Sequence, residues 1–208
     1  ASIIENAQLV DETLTRSADL ENIVQASYDL STMLEEDTIL STVAVHMSNA
    51  ARAEGYRIFQ WKPEEDTLIL LEEDVVGAKP SGITAVSVTK NSQLKQVLNE
   101  ETVYTAVFSA QDTPLLPAPE WGDNNQAHAT AIVPILVSDE LTALVQIIYR
   151  RQQPLNQREK QLLSALANQA SSALETARIF TETYEREQFY NALGIVSMAI
   201  NFTLERET

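Results

Sequence analysis

From Leu163 onward the apolar residues Leu166, Ala170, Ala173, Ala177, Phe180 and Tyr184 follow one another in steps of 3, 4, 3, 4, 3 and 4. Only an α-helix puts such residues on one face. The segment opens with Pro154 and then Asn156-Gln-Arg-Glu159, which fits a capping box with Asn156 as N-cap. The helix can run about fifty residues to the end, far beyond the 8–20 residues common in globular domains. A single core cannot cover that length, so the chain must combine a domain with a helical connector. The stripe Leu163, Leu166, Ala170, Ala173, Ala177, Phe180 and Tyr184 is expected to pair with a second copy, the alanines allowing close helix approach.

The connector is written twice. Residues 1–38 align without a gap on residues 171–208; Glu5, Ala7, Glu12, Thr13 and Arg16 face Glu175, Ala177, Glu182, Thr183 and Arg186, and Leu34, Glu35 and Thr38 face Leu204, Glu205 and Thr208. Both copies carry a heptad-like stripe, Ile3, Ala7, Val10 and Leu14 in the first, and both break it at a polar triplet, Thr15–Ser17 and Glu185–Glu187. Both then resume, at Ile23, Ala26, Leu30 and Leu34 and at Leu193, Val196, Ile200 and Leu204. A period this long is not that of a solenoid, whose repeats run about 20–50 residues. It suggests a domain that recurs in an array.

Between the copies the pattern is mixed. A first helix to about Leu34 is followed by a second from Asp37 or Thr38 to about Ala53, ended by Gly55. Tyr56–Trp61 and Leu68–Glu72 read as a hairpin across the loop KPEEDT. Val75–Val88 is irregular, Asn91–Asn99 a short helix and Glu101–Phe108 a strand; Ser109–Ala127 is a proline-rich loop of a length more often functional than idle. Thr130–Val137 and Leu141–Arg150 are the last strands. In the second, Leu141, Ala143, Val145, Ile147 and Tyr149 alternate onto one face, while Thr142, Gln146 and Arg150 go to the other.

Charge and composition exclude several classes. Thirty acidic against fourteen basic residues give a net charge of −16, which repels phosphate backbones and anionic lipid surfaces, so neither nucleic acid nor a membrane is an expected partner. No apolar run approaches the roughly 18 residues of a membrane span, and no signal-peptide pattern opens the sequence given. The absence of cysteine removes disulfides, thiolate metal sites and thiol nucleophiles and fits a cytoplasmic location. The P-loop, the EF-hand loop, the G-x-S-x-G elbow and H-E-x-x-H are all missing. No catalytic or metal-binding residue is assigned.

The order helix, helix, hairpin, short helix, strand, loop, two strands, long helix resembles the GAF domain, a sensory fold related to PAS domains. The closest likeness lies in TAIVPILVSDELTALVQIIYRRQQPLNQREKQLLSALANQASSALETARIF, where Pro134, Pro154, Leu155, Glu159, Leu162, Leu163, Leu166, Ala167, Gln169, Ala170, Ala173, Glu175 and Ala177 stand where the family pattern places its recurrent residues. The resemblance implies an α+β fold, with an antiparallel sheet of five or six strands covered on one face by long terminal helices and on the other by the Val75–Ala127 connections. Residues 20–180 form the domain, 1–19 the tail of a preceding repeat and 181–208 a connector into a following one. The family's glycine in the last hairpin turn is replaced by SDELTAL, which implies another type of turn.

A small-molecule pocket is implied beneath the proline-rich connection, with Tyr104, Phe108, Trp121, His128 and Thr130 as its wall. No cofactor is expected. Covalent bilin attachment and methionine-sulfoxide reduction in this family both work through cysteine, and the N-K-x-F-x3-D-E signature of cyclic-nucleotide binders is missing. Haem would need His46 or His128; the first reads as a packed helix residue and the second as a hydrogen-bonder in a loop.

The functional expectation is a non-catalytic sensory module of a multidomain cytoplasmic signalling protein, such as a histidine kinase. It binds a small molecule and relays the change through dimeric connector helices, with the polar triplets as the joint. The alternatives are a domain whose pocket has degenerated, serving as dimeriser and spacer, and an enzyme of unrecognised type.

Overall fold

The computed structural model describes residues 2–100, 102–108, 115–117, 119–121, 128–150 and 153–204. In chain order the elements are α1 (Ser2–Ser31), α2 (Glu36–Ala50), β1 (Gly55–Lys62), β2 (Thr67–Val75), β3 (Ala78–Lys79), β4 (Ala85–Ser87), α3 (Ser92–Asn99), β5 (Tyr104–Phe108), β6 (Glu120–Trp121), β7 (His128–Val137), β8 (Glu140–Tyr149) and α4 (Gln157–Leu204). Six strands form one sheet in the order β4-β2-β1-β8-β7-β5, and each neighbouring pair is antiparallel. β3 and β6 make a separate two-stranded ribbon.

Strand period sorts the side chains onto two faces. Tyr56 and Ile58 of β1, Ala129, Ala131, Val133 and Ile135 of β7, and Val145 and Ile147 of β8 pack against α1, α2 and α4. The helices meet them with Ala26 and Leu30, with Ile39, Leu40, Val43 and Met47, and with Leu163, Leu166 and Ala170. On the far face Phe59, Leu68, Ile132 and Leu144 are covered by Val88, by Leu94, Val97 and Leu98 of α3, and by Leu115 and Leu116. Terminal helices thus cover one face and the long connections the other, as the sequence implies.

The capping box forms as the sequence implies: the Asn156 N–H donates to Glu159 Oε2 at 2.8 Å and the Glu159 N–H donates to Asn156 Oδ1 at 2.9 Å. α2 begins instead at Glu36 and its N-cap is Glu35, without a side-chain cap. Gly55 does not end that helix but opens β1. The nominally irregular stretch, Val75–Val88, holds the short strands β3 and β4. The last hairpin keeps a tight turn without glycine, because Ser138 and Asp139 take φ of 52° and 63°, the left-handed pair that a two-residue turn of this hand needs.

The stripe assigned to a partner helix turns inward. Leu163, Leu166, Ala170 and Ala177 are buried, and Ala173 half-buried, in the chain's own core, so they are not a dimer surface. A core-facing helix and a coiled-coil seam share the 3–4 spacing, and the sheet has claimed this one. Only Phe180 and Tyr184, past the edge of the sheet, stay exposed.

Side-chain ties fasten the helices to the sheet and to each other. Tyr56 Oη donates to Glu72 at 2.7 Å, and Ser41 of α2 donates to the same carboxylate. Burial first, and Glu72 second, push the Tyr56 phenol above its ordinary pKa, so it remains a donor. His46 Nε2 lies 3.0 Å from Asp29 Oδ2, joining α2 to α1. Arg158 bonds α1 twice, from Nε to Asp19 Oδ2 at 2.7 Å and from Nη2 to the Thr15 carbonyl at 2.6 Å.

Candidate functional site

In an antiparallel pair, residues directly opposite each other point to the same face. Register therefore sets a row across five strands of the far face: Glu73 on β2, Arg57 on β1, Gln146 on β8, Ile132 on β7 and Tyr104 on β5. Its polar half is deeply buried, with Arg57 at 0% and Gln146 at 1% exposure. β1 puts the arginine there because YRIFQW alternates: Tyr56 and Ile58 face the helices, so Arg57 and Phe59 face the other way.

The row is wired by hydrogen bonds. Arg57 Nε donates to Glu73 Oε1 at 2.7 Å, while Nη1 donates to the Pro117 carbonyl and, at 3.4 Å, to Gln146 Oε1. Glu73 Oε2 accepts from both the backbone N–H and the hydroxyl of Ser81, each at 2.9 Å. Gln146 Nε2 donates to Thr130 Oγ1 at 3.2 Å, and that hydroxyl donates to the Ile147 carbonyl at 3.0 Å. Burial alone would raise the Glu73 pKa, but the Ser81 N–H, Arg57 and the Ser81 hydroxyl outweigh it and hold the carboxyl below its ordinary value. The Glu73 carboxyl is therefore ionised at neutral pH.

Above the row lies a roof of Leu94, Leu115 and Leu116, with Asn91 joining α3 to the loop by donating from Nδ2 to the Leu115 carbonyl at 3.0 Å. Asn91 also caps α3, accepting from the Leu94 N–H at 3.0 Å.

Of the five residues expected to form a pocket wall, three share one edge of this face. Tyr104 is half-buried against the far-face core, Phe108 is buried opposite His128 in the register, and Thr130 is buried inside the Gln146 network. Trp121 pairs through its backbone with Ala78 in the ribbon rather than with the main sheet. The side chains of Trp121 and His128 lie outside the described residues. His46, the other imidazole, is engaged with Asp29. Among the described residues no group of three or more His, Cys, Asp or Glu could hold a metal ion.

Arg57, Glu73 and Gln146 escape the sequence reading. Their signal is nonetheless present: a guanidinium inside an apolar strand, and a carboxamide in the middle of LVQII.

The family model of the GAF domain matches residues 35–176. No curated protein matches the chain. Among solved structures, the GAF domain of a phosphoenolpyruvate-protein phosphotransferase from Coxiella burnetii superposes with a TM-score of 0.61 at 16% identity, over 79% of this chain and 96% of that one. The phycocyanobilin-bound GAF domain of a cyanobacterial phytochrome gives 0.56 at 14% identity, over 77% and 96%. The free methionine-R-sulfoxide reductase of Neisseria meningitidis, in complex with its substrate, gives 0.61 at 13%, over 77% and 90%. At these identities the likeness is one of fold. Among the described residues no helix is long and apolar enough to cross a membrane.

Proposed function

The chain belongs to the GAF domain family, and we propose that it is a non-catalytic sensory module that binds a small molecule on the far face of its sheet and relays occupancy through its terminal helices. The observation that carries this reading is the buried polar cluster of Arg57, Gln146 and the Thr130 bonded to it, set in an apolar face and roofed by the long connections. A spacer gains nothing from a guanidinium there, since burying a charge costs several kcal/mol that apolar residues would avoid. The relatives' chemistry gives no shortcut. One is bound to phycocyanobilin and another is a reductase, whereas this chain has no cysteine for a thioether or a thiol step. A thermal-shift screen of cytoplasmic metabolites tests the reading: a saturable rise in Tm supports it, and no rise with any compound favours the spacer.

The relay has a physical route. β8, which carries Gln146, leads into the capped start of α4, and Arg158 in its first turn bonds the Thr15 carbonyl of α1. Thr15 is the first residue of the polar triplet that interrupts the α1 stripe. A change in the tilt of α4 therefore reaches α1 where its register is least defined. The second triplet, Glu185–Glu187, hands the same change to a following repeat, in a parent protein of the sensor-kinase kind.

Relay needs a partner helix, and the dimer face shifts from the buried stripe of α4 to the outer side of α1. Leu20, Val24 and Tyr28 step by one turn and are 63, 66 and 71% exposed, in line with Val10 and Leu14. Leaving such side chains in water forfeits about 25 cal/mol per Å². The chain is expected to sediment as a dimer at tens of micromolar, and L20E/V24E as a monomer with an unchanged circular dichroism spectrum. A wild-type monomer, or a variant that still dimerises, removes α1 from the interface.

A further inference from the structure

Arg57 is wholly buried and three of its hydrogen bonds are placed, yet its Nη2 meets no partner among the described residues. An unmet buried donor is destabilising, and more so when charged. The far face therefore holds a buried cationic donor whose acceptor is not supplied by the described residues.

The surroundings define that acceptor. Glu73 already balances the guanidinium at 2.7 Å. A carboxylate or phosphate on Nη2 would bring a second anion beside Glu73, inside a chain of net charge −16, where low dielectric makes like charges expensive. An uncharged oxygen avoids that repulsion and still satisfies the donor. The neighbouring nitrogen supplies the precedent, because Nη1 takes the neutral Pro117 carbonyl.

We infer that Arg57 is the specificity-determining residue of the far-face site and that it recognises an uncharged oxygen acceptor, a carbonyl or amide, in preference to an anion. This rests on the sensory reading above. Gln146 and Thr130 are positioning residues, since Gln146 Oε1 holds Nη1 and Thr130 Oγ1 holds the carboxamide. Charge balance at Glu73 sets the selectivity.

The test compares acetamide with acetate, one shape with and without charge, by side-chain ¹⁵N–¹H spectra of the labelled chain at pH 7. A four-atom probe binds weakly however well it fits, so saturation in about the millimolar range is the expected result. Acetamide is expected to move the Arg57 resonances saturably, with acetate at least tenfold weaker. Acetate binding as well as acetamide overturns the selectivity, and silence from both up to roughly 200 mM overturns the site. The paired variant R57M/E73Q, which leaves no lone charge, is expected to lose the acetamide response at the Gln146 and Thr130 amides; retention there removes Arg57 from recognition. A metabolite that raises Tm equally in wild type and R57M/E73Q would keep the sensory reading while discarding this assignment.

Discussion

Replacing Gly55 with alanine is expected to destabilise the domain by about 3 kcal/mol, the upper range for an inserted carbon in a packed interior, lowering Tm by about 6–12 °C. A Cβ at this position would stand 2.1 Å from the Asp74 carbonyl oxygen and 2.5 Å from the Val75 Cα. Those are backbone atoms and cannot rotate away. Nor can β1 retreat, because the Glu54 N–H donates to the Ile148 carbonyl at 3.0 Å on one side and the Val76 N–H donates to the Glu54 carbonyl at 2.9 Å on the other. Gly77 and Gly82 provide the contrast. They have φ of +73° and +64° but nothing within 4 Å of a Cβ, so alanine there costs only the left-handed penalty of about 1 kcal/mol. Urea unfolding with an unchanged m-value measures all three. Equal losses at Gly55 and Gly77 would show that β1 moves aside after all.

The reach of the sequence can be judged from the same strands. Alternation of Ala143, Val145, Ile147 and Tyr149 places the helix-facing side of β8, although Leu141, expected on that side, packs against the far-face cluster instead; the capping residues Asn156 and Glu159 place the start of α4, because that signal is local. Gly55 reads as a helix stop, since a glycine after a helix is commonly a C-cap. Its true constraint is a neighbour 20 residues along the chain in the register Gly55 to Val75, which no local pattern encodes. The α4 stripe misleads for a related reason: spacing fixes which residues share a face and leaves open what that face meets. The shared face of the expected wall residues is partly legible. Tyr104, Phe108 and Thr130 come from β5 and β7, the strands flanking the proline-rich connection, and do lie on one face. Arg57 and Glu73 join them only through pairings of β1 with β8 and β2, and a charged residue in a half-polar strand looks solvated until the sheet is assembled.

Arg57→Met is expected to cost about 3–5 kcal/mol, the penalty for stranding one member of a buried ion pair, and R57M/E73Q to recover much of that loss. The guanidinium is fully buried while the Glu73 side chain is 15% exposed, so removing the arginine leaves a carboxylate with Ser81 as its remaining partner and too little water. E73Q alone should cost at least as much, about 3–5 kcal/mol, because it strands the fully buried guanidinium with only neutral acceptors, the Pro117 carbonyl and the Gln146 carboxamide. The double-mutant cycle then gives a coupling energy at the pair; simple additivity of the two losses would mean that Arg57 matters only as bulk. The pH dependence is fixed in sign. Glu73 is held below its ordinary value of 4.5, so as pH falls the unfolded chain takes up the proton first and the folded state loses ground. The contribution is complete above about pH 4.5 and fades as the pH drops through the lowered folded-state value. In E73Q this component is gone, and its Tm should fall less steeply than wild type between about pH 5 and pH 3. Parallel curves would place the acid sensitivity elsewhere among the carboxylates. A pair that proves strongly coupled yet no more stable than its neutral replacement would be one that the fold keeps for recognition, since stability alone does not require it.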